Sequence, residues 1–140
     1  MSPLLRGLLA WTPAGLAMVA IWTVSSGPVP ERIAPTFDFG DKLFHAVGYA
    51  VLALLTSVGA NGSVPPRRRG TRRTWLVAIL VAAGYGVVDE VHQSFVPSRS
   101  SDALDALADA VGSVLGASLA HLGYWRRRAA PPGSGAPRHP

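Results

Sequence analysis

Cysteine is absent from the 140-residue chain, which excludes disulfide bridges and thiolate metal sites. Charge is sparse as well: Asp, Glu, Lys and Arg make up 15% of the residues, against about 25% in an ordinary soluble domain, while 49% are hydrophobic. Acid is the scarcer sign, eight carboxylates against thirteen Lys and Arg, for a net charge of +5 at pH 7. That basic excess does not point to nucleic acid, because the arginines form short clusters beside apolar runs and no aromatic-interleaved basic surface accompanies them. Arginine flanking apolar spans instead follows the positive-inside rule of membrane proteins. Lysine is nearly missing: Lys42 stands alone against twelve arginines, and with the abundant Ala, Gly and Pro this fits the codon usage of a GC-rich bacterial genome.

What is present is four apolar runs: Leu8 to Val24, Leu43 to Val58, Trp75 to Val88, and Leu104 to Leu122. Crossing a bilayer takes roughly 20 helical residues, with a range of about 17 to 25. The second and third runs reach that length by including their polar ends, back to Asp41 and on to Phe95. The expected fold is therefore all-α, a polytopic membrane protein with four transmembrane helices in a compact bundle. The spacing divides the chain into a single membrane domain over 1–125, with core motifs at 40–122, and a tail over 126–140 that is basic, then rich in Pro and Gly, and expected to be disordered.

Four crossings bring the N-terminus, the Pro65–Arg73 loop and the tail to one side, with Arg6, Arg67, Arg68, Arg69, Arg72, Arg73, Arg126, Arg127, Arg128 and Arg138 and no acid. The other side holds Arg32, Lys42, Arg99 and all eight acids: Glu31, Asp38, Asp41, Asp89, Glu90, Asp102, Asp105 and Asp109. This bias predicts both termini in the cytoplasm and a polar pocket on the extracytoplasmic face of the plasma membrane. Arg6, an apolar run and Val24-Ser25-Ser26 also fit a cleavable signal peptide, but Trp11, Pro13 and Trp22 favour a retained span.

The polar residues form stripes. Asp41, His45 and Tyr49 recur at i, i+4 and i+8, and Lys42 adjoins Asp41. Asp89 and Gln93 stand at i, i+4, with Glu90 and His92 beside them, and Asp105, Asp109, Gly112 and Gly116 share one face of the last run. A charge at the bilayer centre costs about 2.5 to 3.5 kcal/mol, so four unpaired carboxylates would cost on the order of 10 kcal/mol. The carboxylates must therefore pair, lie near the interface or line a wet pocket. Scaffolding explains part of this, with Asp41 and Asp105 as expected helix caps, but not Asp109, a full turn inside an apolar run. Gly112 and Gly116 form a GxxxG that admits a second helix closely; packing within the bundle is favoured over a homo-oligomer.

Taken in order, Asp41-Lys42-Leu43-Phe44-His45 with Tyr49, then Asp89-Glu90 through Gln93, Phe95, Pro97 and Arg99, then Asp105, Gly112 and Gly116 resemble the VanZ family. One departure is Asp109, where the family pattern carries Asn. The resemblance covers about residues 40–122 and implies a small bacterial membrane protein; the name-giving member is associated with resistance to teicoplanin, a lipid-bearing glycopeptide.

These residues suggest three functions. The first is an enzyme acting on a lipid-linked or phosphate-bearing envelope component, with a bearing on glycopeptide or lipopeptide tolerance. Its candidate catalytic residues are Asp41, His45, Glu90 and Asp105, with His45 as general base or nucleophile. Lys42, Tyr49, Gln93 and Arg99 are candidate substrate contacts, Lys42 and Arg99 clamping an anion. Asp89, Glu90, Asp105 and Asp109 are candidate oxygen ligands for a divalent cation. The second function is non-catalytic binding of lipid head groups or lipid-bearing antibiotics. The third, ranked last, is proton- or ion-coupled transport, since no polar path crosses the bundle.

Overall fold

The computed structural model describes residues 2–28 and 39–129. Glu31, Arg32, Asp38 and the 130–140 stretch with Arg138 lie outside the described residues. Four helices follow in order: α1 (Pro3–Ser25), α2 (Gly40–Gly62), α3 (Arg72–Gln93) and α4 (Ala103–Ala129), with a 3₁₀ turn at Pro66–Arg68 before α3. Each of the four is long and apolar enough to cross a membrane.

Helix ends follow local chemistry. Ser2 accepts a hydrogen bond from the Leu5 amide at 3.2 Å and Pro3 occupies the first turn of α1, where its missing N–H costs nothing. Thr71 and Thr74 form a reciprocal capping box at the start of α3. That helix stops at Gln93, short of Phe95, because the Phe95 and Val96 amides turn back onto the His92 and Gln93 carbonyls. By contrast, α4 does not end at Leu122: it runs on through Arg126, Arg127 and Arg128, so the basic part of the expected tail is helical.

The bundle is packed inside out relative to a soluble protein. Its centre is built from Leu52, Ala53, Ala78, Ala82 and Ala117, with Thr56 and Ser113 fully buried among them. The large side chains, such as Leu16, Leu80 and Leu119, are on the outside. Small interior residues let helices approach where lipid supplies no hydrophobic drive, and the exposed leucines suit acyl chains. α2 is central, touching α1, α3 and α4. It runs in the same direction as α4, with Gly112 and Gly116 set against the Ala46 and Ala50 carbonyls so closely that a Cβ on either glycine would strike them. The GxxxG is thus engaged inside the chain. α1 is tied to this pair by Trp11 Nε1 donating to Ser63 Oγ at 2.9 Å, and to α3 by the Tyr85 hydroxyl donating to the Met18 carbonyl at 2.7 Å. The C-termini of α1 and α3 and the N-termini of α2 and α4 therefore share one end, which carries every carboxylate among the described residues.

Candidate functional site

At this carboxylate end, the first turn of α2 places Lys42 between three acids. Its Nζ lies 2.8 Å from Asp41 Oδ2, 2.6 Å from Asp102 Oδ2 and 2.8 Å from Asp105 Oδ1. Asp102, just outside the spans, is held below the usual carboxylate range by this ammonium. Its other oxygen accepts the Leu104 amide at 2.9 Å, so the cap of α4 is Asp102 and not Asp105. Asp105 stands a turn further along and spends its charge on Lys42. Asp41 is not the N-cap of α2 either: the residue before the helix is Phe39, in the left-handed region at φ 63°, with no side-chain cap.

One turn deeper, His45 Nδ1 lies 2.9 Å from Asp109 Oδ1, and its Nε2 lies 3.9 Å from Asp105 Oδ2. Asp109 is fully buried, and Gly86 on α3 makes room for it, since a Cβ there would collide with the Asp109 side chain. The carboxylate at Asp109 fixes the ring and leaves Nε2 for other work. Glu90 reaches in from α3. Its Oε2 accepts from Ser101 Oγ at 3.2 Å and the Asp102 amide at 2.9 Å, while its Oε1 is buried and unpartnered among the described residues. His45, Glu90 and Asp105 each offer one ligand atom, and these atoms lie within 4.8 Å of one another.

A second polar group lies beside the first. Asp89 Oδ2 accepts from Ser25 Oγ at 2.9 Å and from Gln93 Nε2 at 3.0 Å, and the Tyr49 hydroxyl is buried without a partner among the described residues. Together with His45 these groups form the polar end of a 330 Å³ cavity between α1, α2 and α3. Most of the remaining wall is apolar, with Ala20, Ile21 and Val24 from α1 and Phe44 and Gly48 from α2, and Asp41 lines the cavity as well. Arg99 also lines it, but its guanidinium is bound to α1, Nε donating to the Gly27 carbonyl at 2.8 Å and Nη2 to that of Val24 at 2.7 Å.

The VanZ/LLP1 family model matches residues 8–124. The chain belongs to the VanZ/LLP1 family. No curated protein and no solved structure matches it. The family match begins inside α1 and ends inside α4, so it takes in α2 and α3 whole and most of the two outer helices of this VanZ/LLP1 member.

Several expected roles change with the geometry. Lys42 is not a free anion clamp, because three carboxylates already surround its ammonium. Arg99 satisfies carbonyls at the end of α1, where a helix leaves its last acceptors open. Of the four expected cation ligands, Glu90 and Asp105 lie together. Asp89 is taken up by Ser25 and Gln93, and Asp109 sits behind His45, which replaces both in the cluster. His92 stacks on Trp22 with centroids 3.7 Å apart and bonds Ser26, tying α3 to α1. The spacing of polar residues misses Ser25, Gly86 and Ser101, and finds Asp102 only as one more acid. Asp102, directly before a first-turn Asp and an apolar run, was the one recoverable signal.

Proposed function

We propose that this VanZ/LLP1 member lies in the plasma membrane with both termini in the cytoplasm, and that its carboxylate end faces outward and acts on a lipid-linked or phosphate-bearing envelope component. The orientation is supported by arginine: Arg6, Arg67–Arg69, Arg72, Arg73 and Arg126–Arg128 all flank the opposite end. The reading is carried by the apolar cavity that ends at His45. A slot walled by Ile21, Val24 and Phe44 suits an acyl or polyprenyl chain, and the head group of such an amphiphile then meets an imidazole held by Asp109. His45 is the residue that meets the reacting group, through Nε2, with Nδ1 held by Asp109. Gln93 and Tyr49 contact the head group, and Asp89 orients Gln93. Loss of the activity lowers tolerance to lipid-bearing glycopeptides.

A second reading is non-catalytic capture of lipids or lipid-bearing antibiotics. It is favoured by the engagement of Lys42 and Arg99 within the chain, which leaves the apolar wall as the main recognition surface. Transport is disfavoured by the closely packed centre around Leu52, Ala53 and Ala78, and by the confinement of the buried charged side chains, among the described residues, to one end of the bundle interior. The test compares the envelope lipids and cell-wall precursors of a deletion strain with strains carrying wild type or His45→Ala at equal protein level. A lipid-linked metabolite that accumulates in the deletion and in His45→Ala supports catalysis. Binding of the same lipid without turnover supports capture, and full complementation by His45→Ala overturns the role of the pocket.

A further inference from the structure

We propose that His45, Glu90 and Asp105 form the protein ligands of a divalent transition-metal ion of the zinc or manganese class, with Asp109 orienting the histidine. Their donor atoms lie within 4.8 Å of one another, and His45 Nε2 and Asp105 Oδ2 are 3.9 Å apart. Donors bound at about 2.0 to 2.2 Å to one ion stand about 3 to 3.5 Å apart, so a small inward movement of side chains closes the site. The ring is already set for this: with Nδ1 against Asp109, Nε2 is the nitrogen left to ligate, the carboxylate–histidine–metal arrangement of many metal sites.

The independent sign of a ligand is Glu90. This residue is only 6% exposed, its Oε2 is pinned by Ser101 and the Asp102 amide, and its Oε1 is buried with no partner among the described residues. An unmet carboxylate oxygen in a low-dielectric site calls for a cation. Lys42 does not fill that need. It pairs with Asp105 through Oδ1 and leaves Oδ2 on the side of His45. One imidazole with two carboxylates selects zinc or manganese over the oxygen-loving magnesium and calcium. Three protein ligands leave positions open for a substrate oxygen. Use of those positions on an envelope substrate rests on the function proposed above; binding of the ion does not.

The test uses the full chain in detergent micelles, stripped with a chelator, with Zn²⁺ or Mn²⁺ alone titrated calorimetrically and Co²⁺ followed by its visible absorption. One ion per chain is expected, with Glu90→Gln and His45→Ala each weakening binding at least about 100-fold, Asp109→Ala weakening it about 10- to 100-fold, and His121→Ala at the other end leaving it unchanged. No Co²⁺ spectrum and no heat with the wild type would overturn the site without needing any variant to fold. Equal affinity in Glu90→Gln, or binding of Mg²⁺ or Ca²⁺ alone, would overturn it too. Binding lost in His45→Ala while that variant still complements the deletion keeps the site and overturns the proposed function; no ion with a His45→Ala defect does the reverse.

Discussion

Gly112→Ala and Gly116→Ala test the contact on which the site is built. A methyl group on Gly112 would strike the Ala46 carbonyl, and one on Gly116 that of Ala50, both on the backbone of α2, which cannot rotate away. α4 must then retreat by on the order of an ångström. Overpacking of this kind costs about 1 to 3 kcal/mol, a shift of about 5- to 150-fold in the folding equilibrium. Gly112 bears on the chemistry as well, because Ala46 follows His45 and Gly112 lies three residues after Asp109. Lengthening the 2.9 Å His45–Asp109 contact by that amount takes it beyond the ~3.2 Å limit of an ordinary hydrogen bond. Gly84→Ala is the matched control: nothing lies within 4 Å of its added Cβ, so the substitution should be neutral or stabilising by about 0.5 to 1 kcal/mol through helix propensity. Reversible unfolding in mixed micelles titrated with SDS measures all three. If Gly112→Ala unfolds with the wild-type midpoint, or Gly84→Ala loses as much as Gly112→Ala, the close α2–α4 contact is not what holds this end together.

Lys42→Met should lower the unfolding midpoint, and adding Asp105→Asn should recover most of it. Asp105 is 9% exposed and stranded without the ammonium, while Asp41 and Asp102 are 55% and 39% exposed and can be solvated; no recovery in the double variant would assign the loss to another contact. Asp109→Asn should complement a deletion strain at wild-type level, because the amide oxygen still accepts from His45 Nδ1, whereas Asp109→Leu should fail; an inactive, well-expressed Asp109→Asn would show that the charge itself is required. The cysteine-free chain suits topology mapping: a cysteine at Ser98 should react with an impermeant maleimide in intact cells, and one at Arg67 only after permeabilisation, with the opposite pattern refuting the orientation.

The four spans are legible because lipid dictates their length and leaves the backbone no alternative to helix. The same constraint makes Asp41, His45, Asp105 and Asp109 stand out against their apolar surroundings. What periodicity cannot reveal is which stripe meets which. It ranks Asp89 with Asp109 as equivalent acids, yet the first bonds Ser25 of α1 and the second the histidine of α2. Ser25, one small residue at the end of an apolar run, carries no signal until α1 is laid beside α3. Gly86 is similar: a glycine in a helix reads as a weak spot, and only the Asp109 carboxylate beside it explains the missing side chain.

Charge reverses the simplest reading of the site. Counting Lys42 and Arg99 as anion binders makes a phosphate the natural visitor. The geometry sets six carboxylates, Asp41, Asp89, Glu90, Asp102, Asp105 and Asp109, against those two cations, and both cations are already engaged. A bare phosphate approaching such a pocket is repelled, and the low dielectric of the surroundings strengthens the repulsion. An amphiphile can still enter by its apolar chain between Ile21, Val24 and Phe44. Its anionic head can settle only if a cation stands between it and the acids. The donors that could hold one, His45, Glu90 and Asp105, lie next to the polar end of that same cavity, with His45 belonging to both. On the function proposed above, a phosphate-bearing substrate would need the cation site, whereas a neutral head group would not.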